Sequence, residues 1–300
     1  MYDDIIEVQI PSDIAVLREV LIGLVKPFTL DDLAVEAQDE VDPKRQTRPM
    51  AEVLARYMVE APDAALATIQ HERLVAVLAQ HGVTLHWVEP TDVRIQLYTR
   101  DMGFGIDDMF FLSRPATGIR RREQAGLAWL LPRLSKMCEL TGGHIEGGDV
   151  IVTDDDVLVG IGDSTNAEGV ESLREALAAK GIDRRVVPIE FAHPGVVHLD
   201  VHFTLAGPQV GLFNPKAFAP ASRAYFESRF DLVEVTEDEA RSLAVNTLAL
   251  APDKLILHAT DERIASEIES RGTTPVPIDY SEITRFPGGL HCSTLPLVRG

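Results

Sequence analysis

Apolar and polar positions along this chain switch between two periods, and the switches mark out a recurring order of elements. Residues 64–81 carry apolar positions at helical spacing and predict a helix; 82–90 follow as a strand that closes on proline. The succession recurs: a helix over 166–180, then Gly181 and a strand at 185–190; a helix over 216–229, then a strand at 230–235; a helix over 261–271, then Gly272 and a strand to 278. A glycine after the last helical turn suits the left-handed cap position. Further strands are predicted at 109–112, 149–152, 157–161, 201–205, 210–213 and 255–258, with three aspartates at 154–156 as a hairpin turn. The run 127–140 reads as an apolar helix that carries Cys138 into the core. Unit starts recur at roughly 40–60 residues, which suggests about five related strand-strand-helix-strand units. A conventional open α/β sheet is the alternative. Residues 26–62 break the pattern with Asp, Glu, Pro and Arg, and read as a flap over a site or simply a loop. No linker divides the chain, so a single domain over 1–300 is expected.

Composition narrows the function classes. The 300 residues are 45% hydrophobic and 25% charged, enough for a large core, and the net charge is −19. Nucleic acid and anionic membrane surfaces are therefore unsuitable partners, since both need a basic face. An acidic surface suits a cationic small molecule, although most such charge is ordinarily solvated surface. The N-terminus lacks the basic and apolar regions of a signal peptide, and no apolar run approaches the ~20 residues of a membrane span. Two cysteines give no disulfide framework, so a reducing, cytoplasmic setting is expected.

Four stretches set polar residues inside apolar, glycine-bearing contexts: Tyr-Thr-Arg-Asp-Met-Gly at 98–103, His-Ile-Glu-Gly-Gly-Asp at 144–149, His-Leu-Asp-Val-His-Phe at 198–203 and Gly-Gly-Leu-His-Cys-Ser-Thr at 288–294. Each lies at the edge of a predicted strand, where a scaffold can hold side chains over a common centre. A thiol with a pKa of about 8.5 needs help to ionise at neutral pH. Carboxylates beside Cys292 oppose that, which is wrong for a generic thiol enzyme. Asp101, Glu146 and Asp200 make sense if the substrate brings the positive charge. A planar guanidinium pairs well with carboxylates, and once bound it favours the thiolate. His198 then suits proton transfer to the departing amine and from the incoming nucleophile. Each feature alone has a plainer reading. A lone cysteine is usually a small core residue, His-x-Asp can be a surface turn, and Glu-Gly-Gly-Asp can be a tight turn whose glycines supply positive φ. Structural zinc is disfavoured because no close ligand pair such as Cys-x2-Cys occurs; neither metal nor cofactor is expected.

Taken together and in this order, the four stretches resemble the guanidino-group-modifying superfamily of arginine deiminases, dimethylarginine dimethylaminohydrolases, agmatine deiminases and amidinotransferases. The resemblance runs from about residue 10 to the C-terminus. It implies a five-bladed α/β propeller of pseudo-fivefold symmetry built from ββαβ units. It also implies Cys292 as nucleophile forming an amidino-thioether and His198 as general acid and base. Glu146 would orient His198 or bind the guanidinium, with Asp101 and Asp200 on the guanidinium nitrogens. Arg121 lies near where the hydrolases place an arginine for a substrate carboxylate. One departure stands out: Ser164 occupies the place of a second such arginine, and Arg285 is a candidate substitute. The resemblance favours a hydrolase of a guanidino C–N bond, giving a ureido product, over an amidinotransferase; a binding protein that lost turnover is the non-enzymatic alternative. A homodimer is what the family suggests.

Overall fold

The computed structural model describes residues 4–26, 62–93, 96–285 and 288–300. The excursion expected over 26–62 therefore lies, apart from its two end residues, outside the described residues. The chain opens with β1 (Leu17–Ile22), α1 (Ala64–Gln80) and β2 (Thr84–Trp87). A second group follows: β3 (Gly103–Ile106), β4 (Met109–Leu112), α2 (Gly118–Glu123) and β5 (Met137–Glu139). The third is β6 (Val150–Val152), β7 (Asp156–Ile161), α3 (Ala167–Lys180) and β8 (Arg185–Glu190). The fourth is β9 (Phe203–Gly207), β10 (Val210–Phe213), α4 (Pro220–Arg229) and β11 (Asp231–Glu234). After a short α5 (Glu237–Arg241) come β12 (Leu248–Ala251), β13 (Lys254–His258), α6 (Glu262–Ser270) and β14 (Thr274–Ile278), and β15 (Thr294–Arg299) ends the chain.

Among the described residues the strands form five three-stranded sheets. In each, two strands pair antiparallel and the middle one pairs parallel with the strand that follows the crossover, as β6, β7 and β8 do. The first unit is completed from the far end of the sequence. β15 runs antiparallel to β1, with Thr294 opposite Ile22, and β1 runs parallel to β2. The fold is thus a five-bladed α/β propeller, and the two ends of the chain share one blade.

Local chemistry explains most of the element boundaries. The Asp63 carboxylate caps α1 by accepting from the N–H groups of Ala65 and Leu66 at 2.9 and 3.0 Å, and Asn166 caps α3 through Gly169 N at 2.9 Å. Gly181 after α3 takes φ 71°, Gly82 after α1 takes φ 75° and Gly272 after α6 takes φ 90°. One buried stripe faces each sheet: Val170, Leu173 and Leu177 on α3, Ile264 and Ile268 on α6. Two expectations need correcting. The helix over 216–229 starts only at Pro220, because proline at the first helical position pushes Ala219 into extended backbone, ψ 153°. The run 127–140 is not a helix. Short 3-10 turns lie at Gln124–Leu127 and at Leu131–Arg133, the second containing Pro132, and the chain then pairs β5 with β4 to finish its blade. Cys138 lies half-buried on β5 at the margin of the core rather than inside it.

Candidate active site

The polar stretches singled out in the sequence occupy one structural position, repeated. A short turn precedes the first strand of each blade. Thr99–Met102 leads into β3, Gly147–Asp149 into β6 and Leu199–Val201 into β9. Asn246 precedes β12, and His291 and Cys292 precede β15. Hydrogen bonds tie the five turns to one another. The N–H of Arg100 donates to the carbonyl of Cys292 at 3.1 Å, and the N–H of Leu199 donates to Asp149 at 2.9 Å. The Asn246 side chain donates to the carbonyl of Asp200 at 3.1 Å. The glycines of Glu-Gly-Gly-Asp are there for space, not for positive φ, which neither adopts. A Cβ at Gly147 would sit 2.1 Å from the carbonyl oxygen of Arg100. One at Gly148 would sit 2.8 Å from both Asp101 Oδ1 and the His198 ring.

Five of the seven residues read from the sequence meet here. Cys292, His198, Glu146, Asp101 and Asp200 are all buried, Asp200 completely. His198 Nε2 lies 2.9 Å from Glu146 Oε2, and its Nδ1 lies 3.5 Å from Asp101 Oδ1. Cys292 Sγ lies 3.3 Å from Asp200 Oδ2, which also accepts from His291 Nδ1 at 2.8 Å. Two carboxylate oxygens, Asp101 Oδ1 and Asp200 Oδ1, are buried without a hydrogen-bond donor. Arg121 and Arg285 lie apart from this group. Arg121 donates to the carbonyls of Pro115 and Ala116 at 3.2 and 3.1 Å, and Arg285 pairs with Glu282 at 3.3 Å with its side chain 43% exposed. The neighbour Arg120 is the one that turns inward, 3.3 Å from Asp101 and 2.6 Å from Glu123.

Electrostatics follow from packing so many ionisable groups out of water. Burial works against an imidazolium at His198, but Asp101, Glu146 and Asp149 outweigh it and hold the pKa up at about 10. Burial raises the Cys292 thiol well above its ordinary value, and the charges of Asp200 and Asp101 push the same way. Burial would also raise Asp200, yet the His291 hydrogen bond, with His198 and Arg100 nearby, holds it below the usual carboxylate range. Burial raises Asp101 against the pull of His198 and Arg120, and Asp149 rises to about 8 for the same first reason. The resting site therefore holds a protonated histidine, a protonated thiol and at least one fixed carboxylate.

Ligand atoms of Asp101, Glu146 and His198 all lie within 4.8 Å of one another, so these three could also close on a metal ion. Such an ion would have to displace the proton shared by His198 and Glu146. The sequence reading gave no role to His291, Asn246, Asp149 or Arg120. His291 sat inside a quoted motif, and Arg120 is one residue from the arginine chosen. Asn246 carries no charge and lies in an apolar run. A cavity of about 540 Å³ adjoins Glu146, since its lining includes Ala116, whose N–H donates to Glu146 Oε1, and Thr165, whose hydroxyl accepts from Glu146 N. Ser164, Asp163 and Glu168 also line it.

The sequence matches the family model described as arginine deiminase over residues 34–218 and 216–299. It is 33% identical over 236 residues to the YkgA protein of Bacillus subtilis (strain 168), covering 78% of this chain and 81% of that one. It is 27% identical over 262 residues to the N(G),N(G)-dimethylarginine dimethylaminohydrolase of Streptomyces coelicolor, covering 85% of this chain and 95% of that one. The fold superposes on the amidinotransferase SxtG from Microseira wollei with a TM-score of 0.77 at 17% identity, covering 97% of both chains.

Proposed function

We propose, because this chain belongs to the arginine deiminase family of guanidino-group-modifying enzymes, that it hydrolyses a C–N bond of a guanidino compound through a covalent intermediate on Cys292. The observation that carries this reading is the pair of buried carboxylate oxygens without donors, Asp101 Oδ1 and Asp200 Oδ1, beside a thiol and a protonated histidine. A guanidinium supplies the N–H donors those oxygens lack, in a planar fork. Its charge offsets the burial and the carboxylates that keep Cys292 protonated, so the thiol releases its proton to solvent as the substrate enters and takes one back when the product leaves. The thiolate adds to the central carbon, and the His198 imidazolium protonates the departing nitrogen, which leaves as ammonia or an alkylamine. The resulting amidino-thioether is then attacked by water, with neutral His198 taking the water proton. Collapse releases the ureido product and the thiolate. Glu146 keeps His198 oriented throughout.

An amidinotransferase is the second reading. Ser164 favours it, because it stands where the hydrolases of the family carry an arginine for the substrate carboxylate. Both readings share the first half-reaction. The deciding experiment incubates the protein with a panel of guanidino compounds, with and without acceptor amines, and resolves products by mass spectrometry. A ureido product with ammonia or alkylamine supports the hydrolase; amidino transfer that requires an added amine supports the alternative. Chloroacetamidine should label Cys292, and Cys292→Ser should lose turnover. Product formation that survives Cys292→Ser refutes both readings. The free cysteines, Cys138 and Cys292, suit a reducing, cytoplasmic setting.

A further inference from the structure

Four blades bring charged or nucleophilic groups to the centre; the fifth brings a neutral amide. Asn246 is buried and makes three side-chain contacts there. Its Oδ1 accepts from the N–H of Cys292 at 3.2 Å. Its Nδ2 donates to the carbonyl of Asp200 at 3.1 Å and to Cys292 Sγ at 3.1 Å. The orientation of the amide is fixed by chemistry, because a backbone N–H can only donate and a backbone carbonyl can only accept. The nitrogen must face Asp200 and the sulfur.

The surroundings are shaped to hold it. Leu243, three residues earlier, adopts φ 62°, a costly conformation for a leucine, and from there the chain turns into the site. The N–H of Asn246 closes that turn on the carbonyl of Leu243 at 2.9 Å, and its own carbonyl accepts from Leu290 at 3.2 Å. A Cβ at Gly289 would sit 2.8 Å from Asn246 Oδ1, so the glycine of the cysteine motif makes room for this side chain.

We propose that Asn246 is a catalytic residue of this site, whose amide aims Cys292 Sγ and donates a hydrogen bond to the sulfur while it is a thiolate. The sulfur lies between an acceptor and a donor. Asp200 Oδ2 takes the S–H bond in the resting thiol, and Asn246 stabilises the anion once the proton has left and the sulfur attacks. Both carboxylates near the thiol oppose its ionisation, and a neutral donor opposes them without adding a charge that would repel a cationic substrate. A lysine or arginine at this position would fail on that second count. The proposal rests on Cys292 as nucleophile and not on which guanidino compound is cleaved.

The test measures thiol chemistry apart from turnover. In a Cys138→Ser background, which leaves Cys292 as the one thiol, alkylation by iodoacetamide is followed across pH by intact-mass spectrometry for the parent and for Asn246→Asp, Asn246→Ala and Asn246→Ser. Asn246→Asp keeps the acceptor for Cys292 N and replaces the donor with a charge. Asn246→Ser keeps a shorter donor. Alkylation should slow by about 10–100-fold in Asp and Ala, with the profile displaced to higher pH, and recover partly in Ser, as a charge-assisted hydrogen bond of this kind implies. With an active guanidino compound, kcat should fall by a similar factor while KM changes less than about threefold. Folding is checked by circular dichroism; should Asp and Ala fail to fold, Ser alone decides, with an intermediate slowing expected. Folded variants whose alkylation profiles coincide with the parent overturn the proposal. Absence of turnover in the parent itself leaves the thiol measurement intact and counts instead against the guanidino reading.

Discussion

Neutralising Asp200 should have opposite effects on the empty and the working enzyme. The carboxylate is completely buried and held ionised by His291, with Oδ2 3.3 Å from Cys292 Sγ. At that separation and an effective dielectric of about 20, two unit charges interact by about 5 kcal/mol. His291 shares the field of Asp200, and the asparagine replacement still offers a dipole, so the repulsion relieved in Asp200→Asn is smaller, on the order of 2–3 kcal/mol. Each 1.4 kcal/mol is about a factor of ten, so iodoacetamide should alkylate Cys292 of the empty variant about 30–100 times faster near neutral pH. Turnover should move the other way. A bound guanidinium loses one charged partner, which costs about 2–5 kcal/mol, and kcat/KM should fall at least about 30-fold. The assay pairs timed alkylation of a Cys138→Ser protein with initial rates on the best guanidino compound. A generic thiol enzyme would lose both reactivities together or neither. If folded Asp200→Asn is alkylated no faster than its parent, the claim that carboxylates suppress the resting thiol is wrong.

The same buried charges make stability depend on pH. His198 at about 10, Asp149 at about 8 and Glu123 at about 7 all bind their protons more tightly folded than unfolded, burial being the first cause for the two acids. The stability His198 contributes is complete below about 6.5, its unfolded value, and is lost as pH rises through about 10; the two raised acids act in the same direction below about 8. The thermal midpoint should therefore fall from pH 6.5 to 9.5, and fall less in His198→Asn; a flat or rising midpoint in the parent contradicts the assignment. Gly148→Ala puts a methyl group 2.8 Å from Asp101 Oδ1 and the His198 ring, so kcat should drop at least about tenfold with the fold retained; unchanged kcat shows that the spacing is not critical. Arg120→Gln strands Glu123, which is 1% exposed, and should cost about 3 kcal/mol in chemical unfolding, much of it restored by adding Glu123→Gln; additive losses argue against coupling. Turnover should be indifferent to EDTA; inhibition reversed by a divalent ion would show that Asp101, Glu146 and His198 hold a metal.

What could be read from the sequence divides along physical lines. The helices α1, α3 and α6 were legible because each buries one stripe and stops at a glycine, both local signals. The five charged or nucleophilic residues were legible because ionisable groups inside apolar runs demand a reason. β1 and β15 were not, since each is completed by a strand from the opposite end of the chain, and no local pattern encodes that pairing. The apolar spacing over 127–140 predicts a helix, but Pro132 and the need of the second blade for a third strand override it. The sequence does not distinguish Arg121 from Arg120, because a one-residue register on a short helix decides which side chain turns inward, and it is tertiary contact with Asp101 and Glu123 that turns Arg120 in.

Asn246 is silent in the sequence for a more general reason. Charge is the signal by which a site shows in a sequence, yet this centre gathers Asp101, Glu146, Asp149, Asp200, His198 and His291 as buried side chains in one place. Ionisable groups packed so closely cannot all take their ordinary states, and the pKa values near 10 for His198 and near 8 for Asp149 express that conflict. Adding another cation to support Cys292 would also repel a guanidinium. A neutral donor escapes that conflict, because it stabilises the sulfur anion without changing the net charge offered to the substrate. The residue that best supports such a nucleophile is therefore one that composition and charge patterning cannot reveal, and it appears only when the turn ahead of the fifth blade is placed beside the other four.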